Sequence, residues 1–120
     1  MKVFIAGSRK FAEEFEEAMR RFKKAGIDAS HAGKNLDIDT EESVKSDNKR
    51  MFGIIDDSDI IFLIAKNGYI GHSVSMELGY AHAKGKEIVS SEKVSELSIM
   101  NIVSKVMSIN DFIKYCSDMK

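Results

Sequence analysis

Three things are missing or scarce in this chain of 120 residues, and each absence excludes a class of protein. The chain has no proline, so it lacks any signature that requires one. Its one cysteine, Cys116, cannot form an internal disulfide and has no cysteine or histidine at metal-ligand spacing. The longest apolar run, residues 60–65, is too short to span a bilayer. A disulfide scaffold and a transmembrane protein are therefore excluded.

The chain also has no large excess of positive or negative charge. The 18 basic and 19 acidic residues give a formal net charge of −1 and are spread along the chain. This distribution lacks the basic surface that nucleic-acid backbones require, so a nucleotide partner would be a small molecule. The apolar run at residues 3–6 is too short for a secretory signal, and we predict a cytoplasmic protein with no membrane or nucleic-acid partner.

Length and composition fit one ordinary globular domain. Apolar residues make up 43% and charged residues 31% of a chain long enough to bury a core without staples. The sequence has no internal repeat and no linker. Residues 1–120 are therefore predicted to form a single domain.

Strand patterns and helix patterns alternate along the chain. Apolar runs predict strands at residues 3–6, 27–30, 59–65, 87–90 and 104–107. Amphipathic spacing predicts helices at residues 11–25, 39–57, 73–84 and 110–119, with Val44, Met51 and Ile55 as the buried stripe of the second. Gly26 and Gly85 are predicted helix stops, Asp39 and Glu42 a capping box, and Ser73 a helix cap.

This alternation predicts the fold class. Strands joined by helices imply right-handed crossovers and a parallel sheet covered on both sides. The predicted fold is α/β: a single-domain Rossmann- or flavodoxin-like three-layer α/β/α sandwich with a five-stranded parallel sheet. Ligands of such sheets bind at the carboxyl ends of the strands. Residues 7–9 and 65–77 lie at that edge, and the polar loop at residues 31–39 is placed to cover it.

Glu77 is the acid at this edge with the most chemical interest. We expect it in the first turn of its helix, where free backbone N–H groups and the helix dipole favour an ionised carboxylate. An ionised carboxylate at a strand–loop–helix junction can act as a nucleophile. Acids also stabilise first turns without any catalytic role, so position alone does not assign Glu77 a function.

A longer string of residues resembles a known family. The strand at residues 59–63 and the segment from Ser75 to Lys86, which contains Met-Glu-Leu-Gly-Tyr-Ala, are similar to the nucleoside 2-deoxyribosyltransferases and to their relatives that hydrolyse (deoxy)nucleoside 5′-monophosphates. Gly7, Ser8 and residues 104–112 extend the resemblance over most of the chain. It implies that Glu77 attacks C1′ of the sugar and forms a covalent glycosyl-enzyme.

The sequence departs from that family at two acidic positions. Transferases of the family carry an Asp six residues before the nucleophile and another acid eight residues before the strand's Asp. This chain has Gly71 and Met51 there. Asp47, one helical turn before Met51, is the candidate substitute, although an exposed helix acid explains it equally.

Small polar residues predict a phosphate site. Gly7 permits close backbone approach, Ser8 offers a hydroxyl and Arg9 can pair with a phosphate, an arrangement that resembles the monophosphate hydrolases. Ser73 and Ser75 add hydroxyls at the opposite helix start, next to Gly71. The alternative is that Ser8 and Ser73 only cap helices and Arg9 is a surface residue.

Two further side chains are candidates for substrate contact. Tyr69 can stack on a base or cover the core, and His72, five residues before Glu77, is a candidate general acid. His31 and His82 form no ligand constellation, so we predict neither a metal nor a cofactor.

These features favour cleavage of the N-glycosidic bond of a nucleoside or nucleoside 5′-monophosphate, with hydrolysis favoured over base transfer. The alternative is a nucleotide-binding sensor or interaction module without turnover. A phosphoribohydrolase is disfavoured because its Pro-Gly-Gly-x-Gly-Thr signature is absent. We also predict a homodimer or larger oligomer, since a small domain makes a shallow cleft and similar family members complete theirs across a subunit interface. Residues 98–101 are expected to contribute.

Overall fold

The computed structural model describes residues 1–32 and 40–119, in which helices and strands alternate as predicted. The strands are β1 (Lys2–Gly7), β2 (Asp28–Ser30), β3 (Ile60–Ile64), β4 (Glu87–Ser90) and β5 (Lys105–Val106). The helices are α1 (Ala12–Lys24), α2 (Glu41–Asp56), α3 (His72–Ala83), α4 (Leu97–Met100) and α5 (Ile109–Asp118). Short 3-10 turns follow β1 at Arg9–Phe11 and β3 at Lys66–Gly68. Most of the predicted loop at residues 31–39 lies outside the described residues.

The five strands form one parallel sheet in the order β2-β1-β3-β4-β5. The central strands β1 and β3 pair from Val3 opposite Ile60 to Gly7 opposite Ile64. All five residues of β3 are buried, because helices cover both faces of the sheet. The predicted five-stranded flavodoxin-like sandwich is confirmed.

One helical layer consists of α1 and α5. Phe22 of α1, Phe62 of β3 and Phe112 of α5 meet with ring centroids 4.7–6.0 Å apart. All three rings are fully buried. Cys116 lies in the same cluster and is fully buried. This helical layer therefore packs the hydrophobic core on one face of the sheet. The helices of the candidate site cover the opposite face.

The other layer consists of α2 and α3. Met51 and Ile55 of α2 and Leu78 of α3 pack on the face of the sheet formed by Phe4, Ala6, Ile61 and Leu63. Val44, predicted to be buried with Met51 and Ile55, is 41% exposed, so that part of the stripe is wrong. The buried core residues of α2, Met51 and Ile55, therefore lie in its second half.

Two helix starts differ from the prediction. Thr40 caps α2 and forms a reciprocal capping box with Ser43, whereas the predicted cap Asp39 lies outside the described residues. Gly71, not Ser73, is the N-cap of α3. Both predicted helix stops are confirmed, since Gly26 and Gly85 adopt φ of +74° and +75°. Within the described ranges, no helix is both long and apolar enough to cross a membrane.

Candidate functional site

The topology opens a crevice where β1 and β3 end. The helix that follows β1 covers one face of the sheet and the helix that follows β3 covers the other, so their connections diverge at this point. Such a switch point is where ligands of open parallel sheets bind. A side chain at Gly7 would be crowded there, since a Cβ would lie 3.0 Å from the Ile64 carbonyl oxygen and 3.1 Å from the Phe15 ring.

Glu77 is the buried acid of this crevice. It is the sixth residue of α3 and so lies in the second turn, just beyond the helix start near which it was expected. Its side chain is on the inward face of the helix, between the buried residues Val74 and Leu78, and only 8% of the residue is exposed. Within residues 1–32 and 40–119, Ser58, Glu77 and Ser90 are the polar or charged residues buried to this degree.

The environment of Glu77 favours its protonated form. Burial raises its pKa, the negative charge of Asp47 raises it further, and the positive charge of Arg9 lowers it. The result is a pKa of about 7, against an ordinary value of 4.5. The sequence-based expectation of a carboxylate ionised by the helix terminus is therefore wrong, because Glu77 lies beyond the first turn and burial dominates.

Asp47 of α2 faces the same crevice. Its carboxylate Oδ1 accepts a hydrogen bond of 2.8 Å from Nη2 of Arg50, one helical turn away. Only 18% of the Asp47 side chain is exposed, so it is not the solvated helix acid that the alternative interpretation required. The same Arg50 nitrogen also donates to the carbonyl oxygen of Ala32, just after β2.

Ser8 and Arg9 leave β1 at the opposite wall. The Ser8 hydroxyl oxygen accepts a long hydrogen bond, 3.4 Å, from the backbone N–H of Lys10 and so caps the 3-10 turn. The predicted capping role of Ser8 is confirmed. Arg9 is exposed, and its positive charge acts on Glu77. A cation beside the buried acid is thus accessible to solvent and to an anionic ligand.

Tyr69 belongs to the loop between β3 and α3. The ammonium group of Lys10 lies 3.4 Å from the centroid of the Tyr69 ring, and Phe11 meets that ring edge-on at 6.2 Å. Gly68 anchors the loop, since a Cβ there would lie 2.5 Å from the Ser95 hydroxyl. Tyr69 is 43% exposed, so it does not cover the core as one interpretation required. One face of its ring is already occupied by Lys10.

The start of α3 contributes three of the predicted residues. His72 and Ser73 are exposed in the first turn. Ser75 is half-buried, and its hydroxyl donates a hydrogen bond of 3.1 Å to the carbonyl oxygen of Gly71. The N-cap residue Gly71 supplies no side-chain capping bond. The first turn of α3 therefore has backbone N–H groups without a partner inside the helix, and it contains no acidic side chain.

Sequence reasoning missed Arg50 and underrated His31. The His31 ring meets Phe15 edge-on at 5.3 Å, and burial followed by the charge of Arg50 lowers the pKa of His31. Both residues act through contacts between segments distant in sequence. The three-residue spacing of Asp47 and Arg50 was the one local signal for their pairing.

The structure thus brings Glu77, Asp47 and Arg9 together and leaves His72 and Ser73 exposed at the helix start. Two surface grooves, one on the outer face of α2 and one beside β2, include none of these five residues in their walls. Across the part of the chain that the structure describes, no three His, Cys, Asp or Glu side chains cluster as a metal ion requires. The arrangement offers acid–base and nucleophilic chemistry from side chains.

Comparison by sequence identifies no relative. No family model matches the chain, and no curated protein matches it significantly.

Comparison by structure identifies several proteins of similar fold. A 2-deoxyribosyltransferase from Bacillus psychrosaccharolyticus superposes with a TM-score of 0.73 at 18% identity, over 96% of this chain and 92% of that one. A conserved protein from Enterococcus faecalis V583 superposes with a TM-score of 0.70 at 14% identity, over 100% of this chain and 99% of that one. A 2-deoxyribosyltransferase from Leishmania mexicana superposes with a TM-score of 0.55 at 18% identity, over 77% of this chain and 65% of that one. The fold implied by the sequence resemblance is therefore confirmed.

Proposed function

We propose that this protein cleaves the N-glycosidic bond of a nucleoside 5′-monophosphate or nucleoside, with Glu77 as the nucleophile and hydrolysis favoured over base transfer. The observation that carries the proposal is the burial of Glu77 between Asp47 and Arg9 at the switch point of the sheet. The similarity in fold to two 2-deoxyribosyltransferases supports it. The residue motif around Glu77 supports it independently, since fold alone does not determine chemistry.

In the first step, a carboxylate oxygen of ionised Glu77 attacks C1′ while the bond from C1′ to the base nitrogen breaks. The bonding electron pair leaves with the base, which needs a proton or a hydrogen-bond donor. Asp47 is the candidate substitute for the family's absent acids, and as a carboxylate paired with Arg50 it must first take up a proton from solvent before it can donate one to the base. His72, exposed at the mouth of the crevice, is the second candidate donor.

In the second step, water attacks C1′ and the ester bond between C1′ and Glu77 breaks. The carboxylate of Glu77 is regenerated, and the water proton passes to the group that protonated the base. Transfer to a second base would require that water be kept from C1′ of the same intermediate until that base binds. The absence of the transferase acids, whose positions hold Gly71 and Met51, favours hydrolysis.

Arg9 and Ser8 favour a phosphorylated substrate. The exposed guanidinium of Arg9 lies beside the site, and a 5′-phosphate on the sugar that Glu77 attacks would pair with it. The start of α3, with Ser73 and Ser75, is the complementary wall, where free backbone N–H groups attract anions. On this arrangement Tyr69 contacts the base through the ring face that Lys10 leaves open.

A nucleotide-binding sensor without turnover is the second candidate. Met51, at a position where transferases of the family have an acid, is a core residue with 3% exposure. That position therefore cannot supply a proton, and catalysis depends on Asp47 replacing it. A protein that binds a mononucleotide tightly and releases no base would fit the sensor.

We further propose that the protein acts in the cytoplasm as a homodimer or larger oligomer. Leu97, the first residue of α4, is 80% exposed, which is unusual for a large apolar side chain. It adjoins the predicted contact at residues 98–101. Because α4 packs against α3, a second copy bound there would lie close to the crevice.

The decisive experiment is a chromatographic screen for free base after incubation with each common nucleoside and 5′-monophosphate. The proposal predicts base release by the wild-type protein and none by Glu77→Gln. The matched control is Glu13→Gln, an exposed acid on α1 that should retain wild-type rates. Binding without base release would favour the sensor, and neither binding nor release would overturn both functions.

A further inference from the structure

Arg50 joins two segments that are distant in sequence. Its Nη2 atom donates to the Asp47 carboxylate at 2.8 Å and also to the main-chain carbonyl oxygen of Ala32. Asp47 and Arg50 lie one turn apart on α2, whereas Ala32 follows the edge strand β2. Because a carbonyl of the main chain cannot rotate as a side chain does, the bond to Ala32 fixes the guanidinium in space.

This bridge differs from an ordinary surface ion pair. Arg20 also pairs with an acid three residues away, Glu17, but 70% of the Arg20 side chain and 37% of the Glu17 side chain are exposed. In the second pair the exposed fractions are 45% for Arg50 and 18% for Asp47, and Arg50 holds a second bond outside the helix. A carboxylate on a helix otherwise samples several rotamers. The planar guanidinium, fixed at Ala32, restricts that choice.

The direction in which Asp47 is held affects Glu77. Two charged groups act on Glu77 from the elements around it, Asp47 from α2 and Arg9 from the turn after β1. Asp47 raises the pKa of Glu77, after burial, and Arg9 lowers it. Arg50 itself acts on His31, whose pKa burial and then Arg50 lower. The position of the Asp47 carboxylate therefore matters for the proton affinity of the buried acid.

We propose that Arg50 is a positioning residue, which holds Asp47 toward Glu77 by bonding to the Asp47 carboxylate and the Ala32 carbonyl together, so that the two acids operate as a pair. The inference rests on the proposed function for its catalytic meaning. Its geometric content is independent of turnover: without Arg50, the Asp47 carboxylate loses its bond to a group held by the main chain, and its influence on Glu77 is expected to decline.

A double-mutant cycle on the free protein tests this content. The titration midpoint of Glu77 is measured by carbon NMR of labelled glutamate side chains, with the signal assigned by its loss in Glu77→Gln. Asp47→Asn should lower the midpoint in the wild-type background. In an Arg50→Met background, the same replacement should shift it by less than about half as much.

Matched variants make the result decisive. An Arg20→Met background removes a helix arginine of the same pairing distance and should leave the full effect of Asp47→Asn. Amide spectra of each variant verify that the fold is retained. An equal Asp47→Asn shift with and without Arg50 would overturn the proposal, as would no shift in the wild-type background.

Base release provides a second readout. Arg50→Met should lower kcat by about tenfold or more and change KM by less than about twofold, because the loss concerns the reacting acids and not substrate binding. A rise in KM alone would overturn the positioning role. If no variant, including wild type, releases base while the cycle shows coupling, the proposed function fails and the positioning of Asp47 by Arg50 stands.

Discussion

The buried carboxyl group of Glu77 on α3 is within the electrostatic influence of the Asp47 carboxylate on the neighbouring helix α2. Burial of Glu77 and the charge of Asp47 raise the pKa of Glu77 to about 7, in spite of Arg9. Near neutral pH, Glu77 therefore changes protonation state, and its ionised form is the one that can act as a nucleophile.

The first prediction concerns the pH dependence of base release. Glu77 must be ionised to attack C1′, so kcat/KM should rise with pH and level off above a midpoint of about 7. Initial rates of base release between pH 5.5 and 8.5 measure this profile. A rate that falls through pH 7 would show that Glu77 donates a proton, and the nucleophile would then be another group.

The second prediction concerns stability. The folded-state pKa of Glu77, about 7, is above its ordinary value of 4.5, so the folded protein binds more protons between these values. The stabilising contribution is complete below pH 4.5 and is lost as pH rises through 7, by at most about 3 kcal/mol. Glu77→Gln should therefore be more stable than wild type at pH 8, with the difference shrinking toward pH 5.

Urea unfolding at pH 5 and pH 8 provides the measurement. Glu13→Gln, on the exposed face of α1, is the control and should show no comparable gain at pH 8. If Glu77→Gln is less stable than wild type at pH 8, the ionised carboxylate of Glu77 makes stabilising interactions that the structure does not show. That result would contradict the prediction.

The sequence predicts this fold well because its strongest signals are local. The apolar runs at residues 3–6 and 60–64 are buried on both faces, and Gly26 and Gly85 end their helices with positive φ. Helix starts were less predictable. Ser73 has the chemistry of an N-cap, but the chain enters α3 at Gly71 because the loop after β3 sets the entry point.

The candidate site was predictable only in part, for a related reason. The motif around Glu77 identified the residue, but its depth in the crevice depends on how α2 and α3 pack on the sheet. That depth reversed the expected protonation of Glu77. Arg50 was missed because its partner Ala32 is 18 residues away, on another element. Electrostatics of a buried acid is a tertiary property, which helical position does not determine.

The third prediction concerns the phosphate. Binding should favour a 5′-monophosphate over its nucleoside, since a charge-assisted bond to Arg9 contributes about 1.5–3 kcal/mol. Arg9→Gln should abolish most of this preference and leave nucleoside affinity nearly unchanged. Calorimetric titration with a nucleoside and its monophosphate provides both affinities, with Arg20→Gln as the control. If the wild-type protein binds a nucleoside and its monophosphate with equal affinity, either Arg9 does not bind the phosphate or the substrate carries none.

The fourth prediction concerns assembly. Wild-type protein should have at least twice the mass of one chain in light scattering at micromolar concentration. Leu97→Asp should reduce that mass, because burying a charge in an apolar contact is costly. Lys93→Asp, on an exposed residue of the preceding loop, is the control for added negative charge. A monomeric wild-type protein would contradict the prediction.

The last prediction concerns the nucleophile itself. Glu77→Gln should abolish base release and leave nucleotide binding largely intact, because an amide preserves the shape of the side chain but cannot form the sugar ester. Glu77→Ala with added formate or azide should recover some release, since a small anion can enter the vacated space and attack C1′. Mass spectrometry should detect a glycosyl adduct on wild-type protein and none on either variant. Because Glu77→Gln is expected to be the more stable protein at neutral pH, its loss of activity could not be attributed to unfolding. Base release by Glu77→Gln at the wild-type rate would remove Glu77 from the reaction, and with it the main support for glycosidic cleavage by this protein.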